Sequence, residues 1–132
     1  MKGTVNIVTT TDGKTSEFSR QAECTFGLNS ARICYREESA SVQVILQDGC
    51  VDILRKGDYG MSLHLVEGET SAGTLEMGGK AGELCIAVDR IGYSVTAKSL
   101  LLKLQYAILF GEEEKQEINL RLYARGDNSE EK

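Results

Sequence analysis

Residues 102–108 (Leu-Lys-Leu-Gln-Tyr-Ala-Ile) alternate apolar and polar side chains, and residues 117–123 (Glu-Ile-Asn-Leu-Arg-Leu-Tyr) answer them. A strand with one buried face requires that period of two, because successive side chains point to opposite sides of a sheet. The pattern recurs from end to end, broken by short Gly-containing turns, and no proline interrupts it. A chain patterned in this way is committed to an antiparallel all-β domain.

The turns set the strand order. Asp12-Gly13, Asp48-Gly49 and Gly78-Gly79 are tight hairpin signals. Between them the inward faces read Phe18, Arg20, Ala22, Cys24 and Phe26; then Ile33, Tyr35 and Glu37; then Val42, Val44 and Leu46. Met61, Leu63 and Leu65 follow, and later Leu84, Ile86 and Val88. Ser71-Ala72-Gly73 reads as part of a turn, which leaves a short strand at 74–77. The alternation slips by one around Arg90-Ile91-Gly92, as at a β-bulge. The last hairpin turns across Gly111-Glu112-Glu113-Glu114.

About eight to ten strands joined almost entirely by hairpin-length turns favour a closed up-and-down barrel over a sandwich, whose crossings need longer loops. Closure also removes exposed sheet edges. The expected organisation is one barrel domain over residues 1–125 and a disordered polar tail over 126–132.

The net charge of −5 argues against a nucleic-acid surface, since that affinity rests on Lys and Arg neutralising phosphates. No segment approaches the ~20 continuous apolar residues that span a bilayer, and the first residues lack a signal-peptide core. The reading is a cytoplasmic chain with no nucleic-acid partner and no membrane insertion. Cys24, Cys34, Cys50 and Cys85 form no C-x-x-C pair and only one histidine is available, so no metal site is expected. Four reduced, mostly buried thiols are the expectation.

From Gly49 through Ala124 the order of strands and turns resembles the YwiB-like family. The segment 55–68, Arg-Lys-Gly-Asp-Tyr-Gly-Met-Ser-Leu-His-Leu-Val-Glu-Gly, carries most of the likeness. The closing pair, residues 102–106 with 120–123, supports it. The resemblance implies a calycin-like (lipocalin-like) β-barrel, in a family of small bacterial proteins of unknown function, and imports no catalytic residues. Its motifs are turn glycines and barrel positions, so they specify fold better than activity. Where relatives carry an aromatic in the strand after Gly68, residues 73–79 here have none.

The candidate ligand-binding residues are Arg20, Tyr35, Arg55 and Tyr106, the polar exceptions on inward faces. An inward arginine at a barrel mouth pairs bidentately with a carboxylate or phosphate, and phenols supply hydroxyl donors. The competing reading has both arginines at strand ends, reaching water past an apolar stem or pairing with Glu37. His64 shares a face with Ser62 and Val66, opposite Leu63 and Leu65, and so reads as a surface residue. No nucleophile elbow, H-E-x-x-H helix or P-loop is present, so no catalytic residue and no cofactor is expected.

Five outward positions are apolar, namely Ile45, Leu54, Val66, Leu101 and Leu109. A contiguous patch of such residues would mark an interface, most simply that of a two-fold homodimer. Scattered singly, they need no explanation. Two functions therefore stand open. One is a non-catalytic barrel that binds a small apolar or amphipathic molecule; the other is an interaction or scaffold module with a filled barrel, acting through its outer wall.

Overall fold

A computed structural model describes residues 1–109 and 114–127. The expected turn across Gly111-Glu112-Glu113 and the tail beyond Asp127 lie outside them. Ten strands follow in order: β1 (Lys2–Thr11), β2 (Lys14–Gly27), β3 (Ser30–Glu37), β4 (Ala40–Gln47), β5 (Cys50–Gly57), β6 (Tyr59–Leu65), β7 (Thr70–Met77), β8 (Lys80–Val95), β9 (Ser99–Leu109) and β10 (Lys115–Gly126). Each pairs antiparallel with its sequence neighbours, and β1 closes the ring against β10. This is the closed all-β barrel that the alternation requires.

Three of the turns put both central residues at positive φ: Asp12 and Gly13, Asp48 and Gly49, Gly78 and Gly79. That conformation matches the twist of the flanking strands, and it is why Asp-Gly and Gly-Gly stand there.

The inward residues meet in the lumen. Val5, Ile33, Val51, Leu65, Ile86, Leu100, Leu102 and Leu122 are all at 0% exposure, so the middle of the barrel is packed with aliphatic side chains. Burying each such side chain stabilises the fold by roughly 1.5–3 kcal/mol.

Two local expectations need correction. β7 begins at Thr70, so Ser71, Ala72 and Gly73 belong to the strand and not to the turn. Gly73 faces inward opposite Leu84, and a Cβ there would lie 2.7 Å from the Ser62 carbonyl oxygen and 2.8 Å from Ile86 Cδ1. Close packing requires that glycine, though its composition reads as a turn. The register shift falls between Val88 and Arg90, one residue before the expected slip, and leaves Asp89 as the extra residue. Val88 and Ile91 are both buried across it, so the bulge is what restores the inward face.

The ring is closed, but neighbouring strands do not pair over their full length everywhere, as with β6 and β7, which pair only from Tyr59 to Ser62. β2 pairs with β1 from Lys14 to Glu23, but with β3 only from Ala22 onward. The sheet therefore forks where β3 ends and turns into β4.

Candidate binding site at the barrel mouth

The turns β1–β2, β3–β4 and β5–β6 share one end of an antiparallel barrel, and the polar exceptions to the inward pattern gather at that end. Tyr35 lies opposite Ala22 on β2 and Val42 on β4, and Val42 lies opposite Arg55 on β5. The Phe18 and Tyr35 rings are 6.0 Å apart, tilted by 52°. Burial pushes the Tyr35 phenol well above its ordinary pKa; Glu37 adds to this, while Arg20 and Arg55 oppose it and Tyr106 adds again. Arg20, Arg55 and Tyr106 thus lie within electrostatic reach of the Tyr35 hydroxyl. Burial also pushes Tyr106, on β9, up to about 12.

The two arginines differ. Arg55 is committed to the protein. Its Nε donates to Glu37 Oε1 at 3.2 Å, and its Nη1 donates to the Tyr59 carbonyl at 2.8 Å and meets Asp58 Oδ1 at 2.9 Å. Its guanidinium also stacks 3.7 Å from the centre of the Tyr59 ring. Partial desolvation opposes the charge, but the bonds to Asp58 and Glu37 and the interaction with Tyr59 hold Arg55 above its ordinary pKa. The pairing with Glu37 is the one anticipated by the competing sequence reading. Asp58 and Tyr59 complete it from the β5–β6 turn.

Arg20 is different in that no carboxylate among the described residues pairs with it. It is exposed, donates from Nη1 to the Ser19 carbonyl at 2.9 Å and lies 4.8 Å over the Phe18 ring. Beside the fork, Arg20 and Tyr35 border an open cleft of about 580 Å³ that is otherwise lined largely by outward residues of β1, β2 and β3, Lys2, Gln21, Glu23, Cys34 and Arg36, and by Asp127. Its lining carries three cations, Lys2, Arg20 and Arg36, and two acids, Glu23 and Asp127. Phe18, the ring under Arg20, is the site residue that sequence reasoning did not single out, although its inward parity was legible.

His64 is half exposed on the outer wall, with Nδ1 2.5 Å from Asp52 Oδ1. The two are directly opposite on β6 and β5, a partnership that spacing along the chain does not reveal. The five outward apolar residues are all half-buried. Ile45 lies opposite Asp52, Leu54 opposite Ser62, and Val66 just past the end of β6, so these three surround the Asp52–His64 pair. Leu101 and Leu109 lie toward opposite ends of β9, against Tyr123 and Lys115. The five do not form one patch. The cysteines are all free, but only Cys24 is buried; Cys34 and Cys50 are half-buried and Cys85 is exposed, because these three fall on the outward parity. Among the described residues no group of three His, Cys, Asp or Glu side chains could hold a metal ion. Among the described residues no helix is long and apolar enough to cross a membrane.

The model of a domain of unknown function, DUF1934, matches residues 3–122. The chain belongs to this family. Among solved structures it is similar to the YwiB protein of Bacillus subtilis, at 18% identity and a TM-score of 0.83, over 96% of this chain and 92% of that one. At that identity the likeness establishes the barrel and carries no activity with it. No curated protein matches the chain.

In this DUF1934 barrel, Arg55→Ala tests whether the mouth is built on an ion-pair network. It is expected to lower stability by about 1–2 kcal/mol at neutral pH, because charge-assisted bonds are lost while the carboxylates stay hydrated. Its bond to Arg55 holds the Asp58 carboxyl below its ordinary value of 3.8. That contribution is present above 3.8 and is lost as pH falls through the lower folded value. The gap between wild type and variant in urea unfolding should therefore narrow on acidification. An equal gap at neutral and strongly acid pH would contradict the network.

Proposed function

We propose that this chain is a non-catalytic cytoplasmic binding protein whose ligand is a small organic anion with a flat apolar body, held at the barrel mouth and not in the lumen. The observation that carries this reading is Arg20, a guanidinium with no carboxylate partner among the described residues, lying over Phe18 beside the cleft at the β2–β3 fork. A cation in that setting accepts a carboxylate or phosphate in bidentate fashion. The Phe18 and Tyr35 rings offer an apolar seat, and the Tyr35 hydroxyl, neutral at pH 7 like any phenol, serves as a donor. Arg55 orients Glu37 and the β5–β6 turn around the site and is a positioning residue. The filled middle of the barrel supports a shallow site over a deep one. A cleft of this size falls within the ordinary range for small ligands, roughly 300–1,000 Å³. Four free thiols fit a reducing compartment.

Titration with 2-naphthoate, followed by its fluorescence, tests the reading against the neutral naphthyl alcohol. Naphthoate is expected to bind, the alcohol at least tenfold more weakly, and Arg20→Gln to remove that difference while leaving thermal stability unchanged. Equal binding of acid and alcohol, or of wild type and Arg20→Gln, would overturn it.

A further inference from the structure

At the fork the backbone of β2 runs on past the end of β3. Met1 and Cys24 exchange both of their backbone bonds, and the register places Gly3 opposite Ala22, Val5 opposite Arg20, Ile7 opposite Phe18 and Thr11 opposite Lys14. In an antiparallel ladder such bonded pairs alternate, so the even-numbered residues of β2 point their N–H and C=O groups at β1. The odd-numbered ones point the other way. From Glu23 on they meet β3, whose ladder ends at Ala22 opposite Tyr35. Thr15, Glu17 and Ser19 lie beyond that end and direct their amides and carbonyls into an open edge, where the Ser19 carbonyl already accepts from Arg20 Nη1.

The open edge has a distinct chemical pattern. Its inward face carries Lys14, Ser16, Phe18 and Arg20, which places two cations on either side of an aromatic ring. Its outward face carries Glu17 and Ser19, both tied to Asn6 Nδ2 at 3.0 Å. An incoming strand with acidic side chains opposite Arg20 and Lys14 and an apolar one opposite Phe18 matches that face in charge and shape. A second copy of the chain matches it badly. The two-fold register centred on the open edge puts Glu17 of one copy against Glu17 of the other, and like charges directly opposite are destabilising.

We propose that the open edge of β2 takes up an extended acidic peptide of another protein as an added antiparallel strand, with one acidic side chain on Arg20 and an apolar one on Phe18. The proposal rests on the reading of Arg20 as an anion site and names the partner that would carry the anion.

The test uses the full chain and the capped peptide Glu-Thr-Val-Thr-Thr-Thr-Glu. Three changes separate backbone from side-chain recognition: Ser19→Pro, Arg20→Gln, and N-methylation of the peptide amides that would face β2. Ser19→Pro removes an N–H that no strand of the barrel uses, so the barrel is expected to melt as wild type does. The peptide should bind; Ser19→Pro, Arg20→Gln and N-methylation should each weaken it at least tenfold, and a lysine-for-glutamate peptide should not bind. Naphthoate binding should survive Ser19→Pro. If naphthoate binds through Arg20 but the peptide does not, or binds regardless of N-methylation, the strand proposal falls and the small-anion reading stands. If neither probe depends on Arg20, both fall. Concentration-dependent dimerisation that Ser19→Pro abolishes would assign the edge to a second copy and overturn the proposal.

Discussion

Leu102→Ala is expected to cost about 2–5 kcal/mol in urea unfolding, the range for deleting a fully buried leucine whose surroundings cannot collapse. Leu102 is at 0% exposure and lies between Leu122 on β10 and Tyr93 on β8. The cost comes from lost transfer of the side chain out of water plus the void left behind. A hydrogen-bonded ring of strands holds its radius and cannot close over the gap. The size of the loss thus reports on the lumen itself. A loss under about 1 kcal/mol would mean that the side chain bordered a void already, and that the barrel is hollow.

Gly57→Ala should destabilise at the upper end of the overpacking range, about 3 kcal/mol, and should disturb the mouth as it does so. Gly57 is the last residue of β5, opposite Ala40. A Cβ there would fall 2.0 Å from the Ser39 carbonyl oxygen and 2.6 Å from Ala40 Cα, both backbone atoms that cannot swing aside. The same Ser39 carbonyl accepts the Asp58 amide at 3.1 Å, and Asp58 in turn holds Arg55. Forcing the β3–β4 turn away from β5 therefore pulls on the Arg55 network from its far side. Urea unfolding of Gly57→Ala and of the double variant with Arg55→Ala checks this, with losses smaller than additive expected because the two changes break one network. Full additivity would show that the turn and the arginine are independent.

The parts of the fold legible in the sequence are those that period two controls. Leu102, Leu104, Leu120 and Leu122 announce their faces, and the inward parity of Arg20, Tyr35, Arg55 and Tyr106 follows from their apolar neighbours two residues away. What stayed hidden depends on register between strands. Asp52 finds His64, and Arg55 finds its partners Asp58 and Tyr59, only once β5 and β6 are paired. Gly73 looked like a turn residue because composition does not distinguish a glycine needed for φ from one needed for space. The open edge of β2 was hidden for a related reason: the strand is continuous in sequence, while its partner β3 stops short after turning at 38–39. The expectation that closure removes every edge fails at that fork, and the candidate site lies there.

The measurement that bears hardest on a mouth site beneath which the lumen is filled is amide chemical-shift mapping of the isotopically labelled chain titrated with 2-naphthoate. Saturating shifts confined to Phe18, Arg20, Ala22, Tyr35 and Arg36 are the expected result. Shifts centred on Ile33, Leu46, Leu65 and Leu102, with the mouth unmoved, would contradict it and place the ligand inside the barrel.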